Sequence, residues 1–349
     1  MEGLWFWLLA FMLVGYVLLD GYDLGTGMLH LALARNDDER KQVLASIAPF
    51  WDANEVWLIA AGGTAFFAFP RLYASSFSGF YLPLMIVLWL LMARGLSIEL
   101  RNHVQGPVWS PIWDTGFCVS SALLVLFFGV ALGNLVRGVP LDGNAEFFLP
   151  LWTNFQLDSN ATGVIDWFTL LVGIQALLVI GTHGALWLNY KLMGELQQRA
   201  RRVARAGIGI ALVYSALLTV LVFRIQPQAQ HNLTNMPAGF VFPVLCVAGA
   251  GAAFHALQGG YELRAFGLYS LFVAGLLGSA AFTLFPFVLP TNLGNGGGLT
   301  VYNSAAGANG LQIGIWWWIP GMLLAIVYSV YTHREFAGKV VVDSSSEPV

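Results

Sequence analysis

The stretch LLDGYDLGTGMLHLAL, Leu18 to Leu33, sets two aspartates, Asp20 and Asp23, into an otherwise apolar run. Three residues apart, they share one face of a helix. Carboxylates in a desolvated setting can take up and release protons, so one reading is an acidic relay that carries protons inward from one surface. The other reading places both near the headgroups at one end of a long helix. A carboxylate at membrane depth costs at least ~2.5–3.5 kcal/mol on insertion scales, so it faces the protein interior, a cavity or the interface. A second constellation, SIAPFWDANEVWLIAAGG, sets Asp52 and Glu55 again at i, i+3. There they suit the positive end of a helix dipole, or Asp52 joins Asp20 and Asp23 in one buried acidic path. Trp51 and Trp57 flank it as interfacial anchors or as walls of a hydrophobic passage. Pro49 fits a first helical turn, with Ser46 as its candidate cap.

Other polar residues have plainer expectations. Gly21 and Gly25 form a small-xxx-small pair that permits close helix approach. Arg94 lies deepest in RGLSIELRNH and needs a carboxylate partner. Asp114 reads as an N-cap or interfacial residue. Of the six histidines, His30, His183 and His255 are the intramembrane candidates for hydrogen bonding or haem ligation. No CxxCH or HExxH occurs, and no Ser–His–Asp arrangement can be named. Cys118 and Cys246 lack CxxC spacing and read as small packed residues.

The elements that must hold these residues are set by composition. The chain is 57% hydrophobic and 10% charged, against ~25% charged in an average soluble protein. No Asp, Glu, Lys or Arg occurs from Ala265 to His333. This is the pattern of an all-α polytopic membrane protein. The candidate spans are about 4–33, 48–70, 74–100, 115–136, 163–190, 205–224, 238–258, 265–289 and 312–333. With an external N-terminus, these nine spans put twelve Lys and Arg in inner segments and three in outer ones. That bias matches the positive-inside rule and places the C-terminus in the cytoplasm. The first run has no basic leader or prompt cleavage site and reads as a retained span. Residues 1–335 read as one membrane domain and 336–349 as a polar, frayed tail. ELQQRARRVAR reads as a helical basic connection, and PTNLGNGGGLTVYNSAAGANG as a flexible external loop. The net charge of −3 favours neither an acidic nor a basic partner.

These motifs meet a known family. DGYDLGTGML, RNDDERKQVLASIAPFWDANEVWLIAAGG and FPRLYASSFSGFYLPLMIVL resemble the second subunit of cytochrome bd quinol oxidases. FGVALGNLVRGVP, FQLDSNATGV, THGALWL and LFPFVLPTN extend the likeness from about residue 4 to residue 333. The family includes a cyanide-insensitive branch. The resemblance implies two four-helix bundles plus a peripheral helix, without bound haem, in a bacterial inner membrane. It implies a heterodimer with a haem-bearing subunit I that holds b-type and d-type haems, oxidises quinol and reduces dioxygen to water. A small accessory membrane peptide, lipid and a structural quinone are further partners it allows, with no residue here to carry the quinone over; nucleic acid is not among them. By the same resemblance, Asp23 and Asp52 match positions on a proposed proton route, with Asp20 the motif's first aspartate; in the relay reading Asp20 accepts the proton from the surface. Trp57 matches a position lining a dioxygen passage. Here Glu55 and Ala53 replace the family's Gln and Gly. Two readings of other classes stand beside it. A proton-coupled transporter would use the same acids, although no matched pair of broken helices is visible. A purely structural partner subunit would use them for packing and capping.

Overall fold

The computed structural model describes residues 1–104, 106–153, 155, 162–293 and 297–341. An apolar medium leaves the backbone no water to bond, so spans form helices that satisfy their own polar groups. In chain order these are α1 (Glu2–Leu33), α2 (Asp37–Ala45), α3 (Trp51–Ala68), α4 (Pro70–Gly79), α5 (Tyr81–Leu100) and α6 (Trp109–Arg137). Then come α7 (Trp167–Lys191), α8 (Gly194–Ile225), α9 (Gln228–Asn235), α10 (Val241–Gln258), α11 (Glu262–Leu284) and α12 (Ala308–Glu335). Among the described residues, eight helices are long and apolar enough to cross a membrane, and nine spans result if the bent pair α3–α4 counts as one.

The spans pack as expected from the resemblance. Helices α1, α3, α5 and α6 form one four-helix group, and α7, α8, α10 and α11 form the other. The two groups meet where α1 and α6 lie on α7. Helix α12 is peripheral: Leu311, Trp318 and Met322 turn inward onto Trp5 and Met12, while Trp316 and Leu324 are exposed. At the seam, α1 and α7 approach to backbone contact. A Cβ on Gly25 would run into the Ile180 carbonyl and lie 2.8 Å from the Gly184 nitrogen.

Several boundaries differ from the sequence reading. Helices α3 and α4 meet at 119°. Pro70, at the first position of α4, has no N–H to give α3, so the earlier helix stops at Ala68. The second span is therefore shorter than 48–70, and residues 74–79 belong to α4 rather than to the third span, which starts at Tyr81. Ser46 does not cap α3. Its hydroxyl donates to the Val43 carbonyl at the end of α2, and α3 starts after Phe50 without a side-chain cap. Asp114 is no N-cap either, because α6 begins at Trp109 and carries Asp114 into its second turn.

The basic stretch is helical but continuous with its span, forming the first turns of α8. The external loop is partly ordered: Phe287–Pro290 (β1) pairs antiparallel with Gly298–Thr300 (β2). Asp166 caps α7 by accepting the Phe168 and Thr169 N–H groups, and pairs with Arg137. Residues beyond α12 are docked: the Gly338 N–H donates to the Tyr190 hydroxyl at 3.0 Å, and the Val340 N–H to the Lys191 carbonyl at 2.8 Å. Residues 156–161 of FQLDSNATGV, residues 294–296 of the external loop and the tail from 342 lie outside the described residues.

Candidate functional site

Along α1, Tyr16, Asp20, Asp23, Gly27 and His30 recur at helical spacing and form one stripe. The stripe faces into the first helix group, and each of its chemical residues meets a different helix there. Asp20 meets α5. Arg94 Nη1 donates to Asp20 Oδ2 at 2.9 Å and Nη2 to Oδ1 at 2.5 Å, with both side chains fully buried. The carboxylate that Arg94 needed is thus Asp20. Two parallel bonds are the strong form of an arginine–carboxylate pair.

Asp23 meets α3. The Asn54 amide Nδ2 donates to Asp23 Oδ2 at 2.8 Å, and lies 2.8 Å from the Tyr22 hydroxyl and 3.3 Å from the Leu19 carbonyl. Asp23 Oδ1 is buried without a hydrogen-bond partner among the described residues. The guanidinium therefore bonds only one of the two neighbouring carboxylates. Asp20 takes both of its prongs, and Asp23 has only an amide donor.

The four expected acids do not share one environment. Asp20 and Asp23 are sealed in protein, level with the first turns of α3. Glu55 is half-buried, within electrostatic reach of Arg94 and Asp20. Asp52 is exposed on the outer side of α3. Asp20 lies about 20 Å from the end of α1, at 1.5 Å per residue. Trp57 is buried between α3 and α1. A Cβ on Gly15 would lie 2.6 Å from its ring, and Phe11 meets it edge-on at 6.4 Å.

The basic end of the stripe meets α6. His30 Nε2–H donates to Asp114 Oδ1 at 2.7 Å, the tautomer that an acceptor-only carboxylate requires. Arg101 Nε donates to the same oxygen at 2.6 Å, and Arg40 reaches Asp114 Oδ2 at 3.3 Å. Arg101 also donates to Asp37 at 2.7 Å, and Arg199 donates to Glu39 at 2.5 Å. Burial raises the Asp37 carboxyl, yet bonds and charge from Lys41 and Arg101 outweigh it and hold the group below its ordinary value. Glu39 is likewise held low against burial, by the Arg35 backbone N–H and the Arg199 guanidinium.

The three intramembrane candidate histidines have different surroundings. His30 is committed to Asp114, and His183 Nε2 lies 3.0 Å from the Leu18 carbonyl with its ring stacked on Phe266 at 4.7 Å. His255 is exposed in the last turn of α10. Among the described residues no group of three His, Cys, Asp or Glu side chains could hold a metal ion.

Asn54 and the His30–Asp114 pair were not foreseen. The signals were present: Asn54 stands between two acids in WDANEVW, and His30 lies seven residues beyond Asp23 on the same stripe.

Comparison with known proteins follows the same frame. The family model for cytochrome bd terminal oxidase subunit II matches residues 1–336. A probable cytochrome oxidase subunit 2 of Haemophilus influenzae is 31% identical over 365 residues, covering 97% of this chain and 94% of that protein. The cytochrome bd-I ubiquinol oxidase subunit 2 of Escherichia coli has the same identity and coverage, 31%, 97% and 94%. The cytochrome bd ubiquinol oxidase subunit 2 of Bacillus subtilis is 30% identical, covering 96% of each chain. In fold, the chain matches a solved bd oxidase structure from Geobacillus thermodenitrificans with a TM-score of 0.74 at 17% identity, over 96% of this chain and 98% of that one. The chain belongs to the cytochrome bd terminal oxidase subunit II family.

Proposed function

We propose that this chain is the haem-free second subunit of a quinol-oxidising, dioxygen-reducing complex in a bacterial inner membrane. Its N-terminus lies outside and its C-terminus in the cytoplasm. It pairs with a haem-bearing subunit I and offers that partner a proton route. Support comes from relatives named as ubiquinol oxidase subunits.

The observation that carries the proton role is Asp23: a fully buried carboxylate with one unpartnered oxygen, beside an Asp20 already neutralised by Arg94. Reduction of dioxygen to water consumes protons, and that chemistry belongs to the haems of the partner. This chain's residues move the proton. Asp23 accepts it at Oδ1, with Arg94 and Asp20 fixing the local charge. Glu55 and Asp52, toward the outer side of α3, pass it on toward the partner. Trp57, packed against Gly15, lines a dioxygen passage along α1.

The test is a tagged preparation of this chain with and without its co-purifying partner. The reading expects a haem redox spectrum and quinol-driven oxygen uptake only when the partner is present. A haem spectrum from this chain alone would overturn it.

A further inference from the structure

We propose that His333, on peripheral helix α12, is the water-side end of a hydrogen-bonded chain that loads Asp23 with protons through Tyr22. The inference rests on the reading of Asp23 as a proton carrier and specifies how that carrier is filled.

Hydrogen bonds join His333 to Tyr22, and the Asn54 amide joins Tyr22 to Asp23. His333 Nδ1 lies 2.8 Å from the Ser329 carbonyl, which can only accept, so Nδ1 carries a hydrogen and Nε2 is left as an acceptor. The Tyr22 hydroxyl lies 2.9 Å from Nε2 and donates to it. Asn54 Nδ2 donates to the Tyr22 oxygen at 2.8 Å and to Asp23 Oδ2 at 2.8 Å, so its amide bridges the two side chains. Aromatic rings keep the chain in place. Tyr22 stacks on Trp187 at 4.0 Å, and Phe50 covers His333 at 4.7 Å. Tyr22 is fully buried, whereas His333 is partly exposed in the last turn of α12.

The charged and titratable groups around His333 come from two sides. Lys191 of α7 packs against the same Phe50 ring and donates to the Phe336 carbonyl at 2.6 Å. Arg334 and Glu335 neighbour His333 on α12, Tyr190 lies at the adjoining turn of α7, and Asp23 and Asp20 lie behind Tyr22. Of these, only the imidazole has an ordinary pKa near neutrality and also touches Tyr22.

The transfer balances without other reactants. His333 takes a proton from water at Nε2, and that N–H then points at the Tyr22 oxygen. The Tyr22 hydroxyl hydrogen turns toward Asp23. The Nε2–H bond breaks as a new O–H bond forms on Tyr22, and the old Tyr22 O–H bond breaks as the Asp23 carboxylate takes that hydrogen. The products are neutral His333, intact Tyr22 and protonated Asp23. The competing role is a pin that docks α12 onto α1.

The experiment compares the purified oxidase complex carrying Tyr22→Phe, His333→Gln or Asp23→Asn. Quinol-driven oxygen uptake is followed from about pH 5.5 to pH 8.5, across the ordinary histidine range. The native complex is expected to lose turnover as pH rises through that range. Either Tyr22→Phe or His333→Gln is expected to lower turnover roughly tenfold at the acid end, within reach of a positioned proton-transfer group, and to abolish the pH-dependent limb while the haem spectrum stays intact. If one variant fails to assemble, the other decides. Retention of the native limb, whether the rate is native or uniformly reduced, overturns the proposal and leaves the docking pin. Full turnover in Asp23→Asn would instead overturn the underlying reading of Asp23, an outcome distinct from a failure at His333 and Tyr22 alone.

Discussion

The Arg94 guanidinium grips both oxygens of Asp20, at 2.5 and 2.9 Å, and neither side chain touches solvent. Each charge would be costly to bury alone, and each makes the other tolerable. Loss of one member of such a pair costs about 3–5 kcal/mol, because the remaining charge stays buried. Arg94→Met is therefore expected to lower the melting temperature of the purified complex sharply. The double variant Asp20→Leu with Arg94→Met is expected to recover most of that loss. A double variant less stable than Arg94→Met would contradict the pairing.

The seam between the two helix groups depends on glycine at two facing positions. A Cβ on Gly184 would lie 2.6 Å from the Gly25 Cα, against backbone that cannot turn aside. Gly184→Ala is expected to destabilise by about 1–3 kcal/mol through overpacking. Gly209→Ala, where an added Cβ meets nothing within 4 Å, is expected to be neutral or slightly stabilising, since alanine favours helix. Yield and thermal midpoint of the complex check both. Equal losses in the two variants would refute the close approach at Gly25 and Gly184.

The ion pairs at the basic end carry a pH signature. Asp37 and Glu39 are held below their ordinary values of 3.8 and 4.5. A carboxyl lowered in the fold adds stability above its unfolded pKa, and that contribution disappears as pH falls through the lower folded value. Thermal midpoints measured from neutral pH down into the acid range are expected to drop more steeply in the native chain than in Asp37→Asn with Glu39→Gln. Parallel curves would show that these carboxyls are not coupled to folding.

Much of this was legible in the sequence because hydropathy and helical spacing are local signals. The spans, the shared face of Asp20 and Asp23, the small-residue contact at Gly25 and the need of Arg94 for a carboxylate all follow from short stretches. Which carboxylate Arg94 takes does not, because Asp20 and Arg94 are 74 residues apart and no pattern encodes their meeting. The bend at Phe69 and Pro70 was missed because the polar turn of composition in PRLYASSFSG reads equally as the end of a span and as a helix that folds back from it. Asp114 was misplaced for a related reason: α6 starts five residues earlier, at Trp109, where hydropathy shows no step. The Tyr22–His333 contact joins opposite ends of the chain, 311 residues apart, and only the docking of α12 on α1 reveals it.

The most direct test of the account is oxygen uptake by the complex carrying Asp23→Asn. The amide keeps the shape of the side chain and removes its ability to carry a proton. Turnover is expected to fall by about 10²-fold or more, the scale of a lost proton-transfer group, with the haem spectrum of the partner unchanged. Native turnover in that variant, with a native spectrum, would contradict the claim that protons pass through this carboxylate.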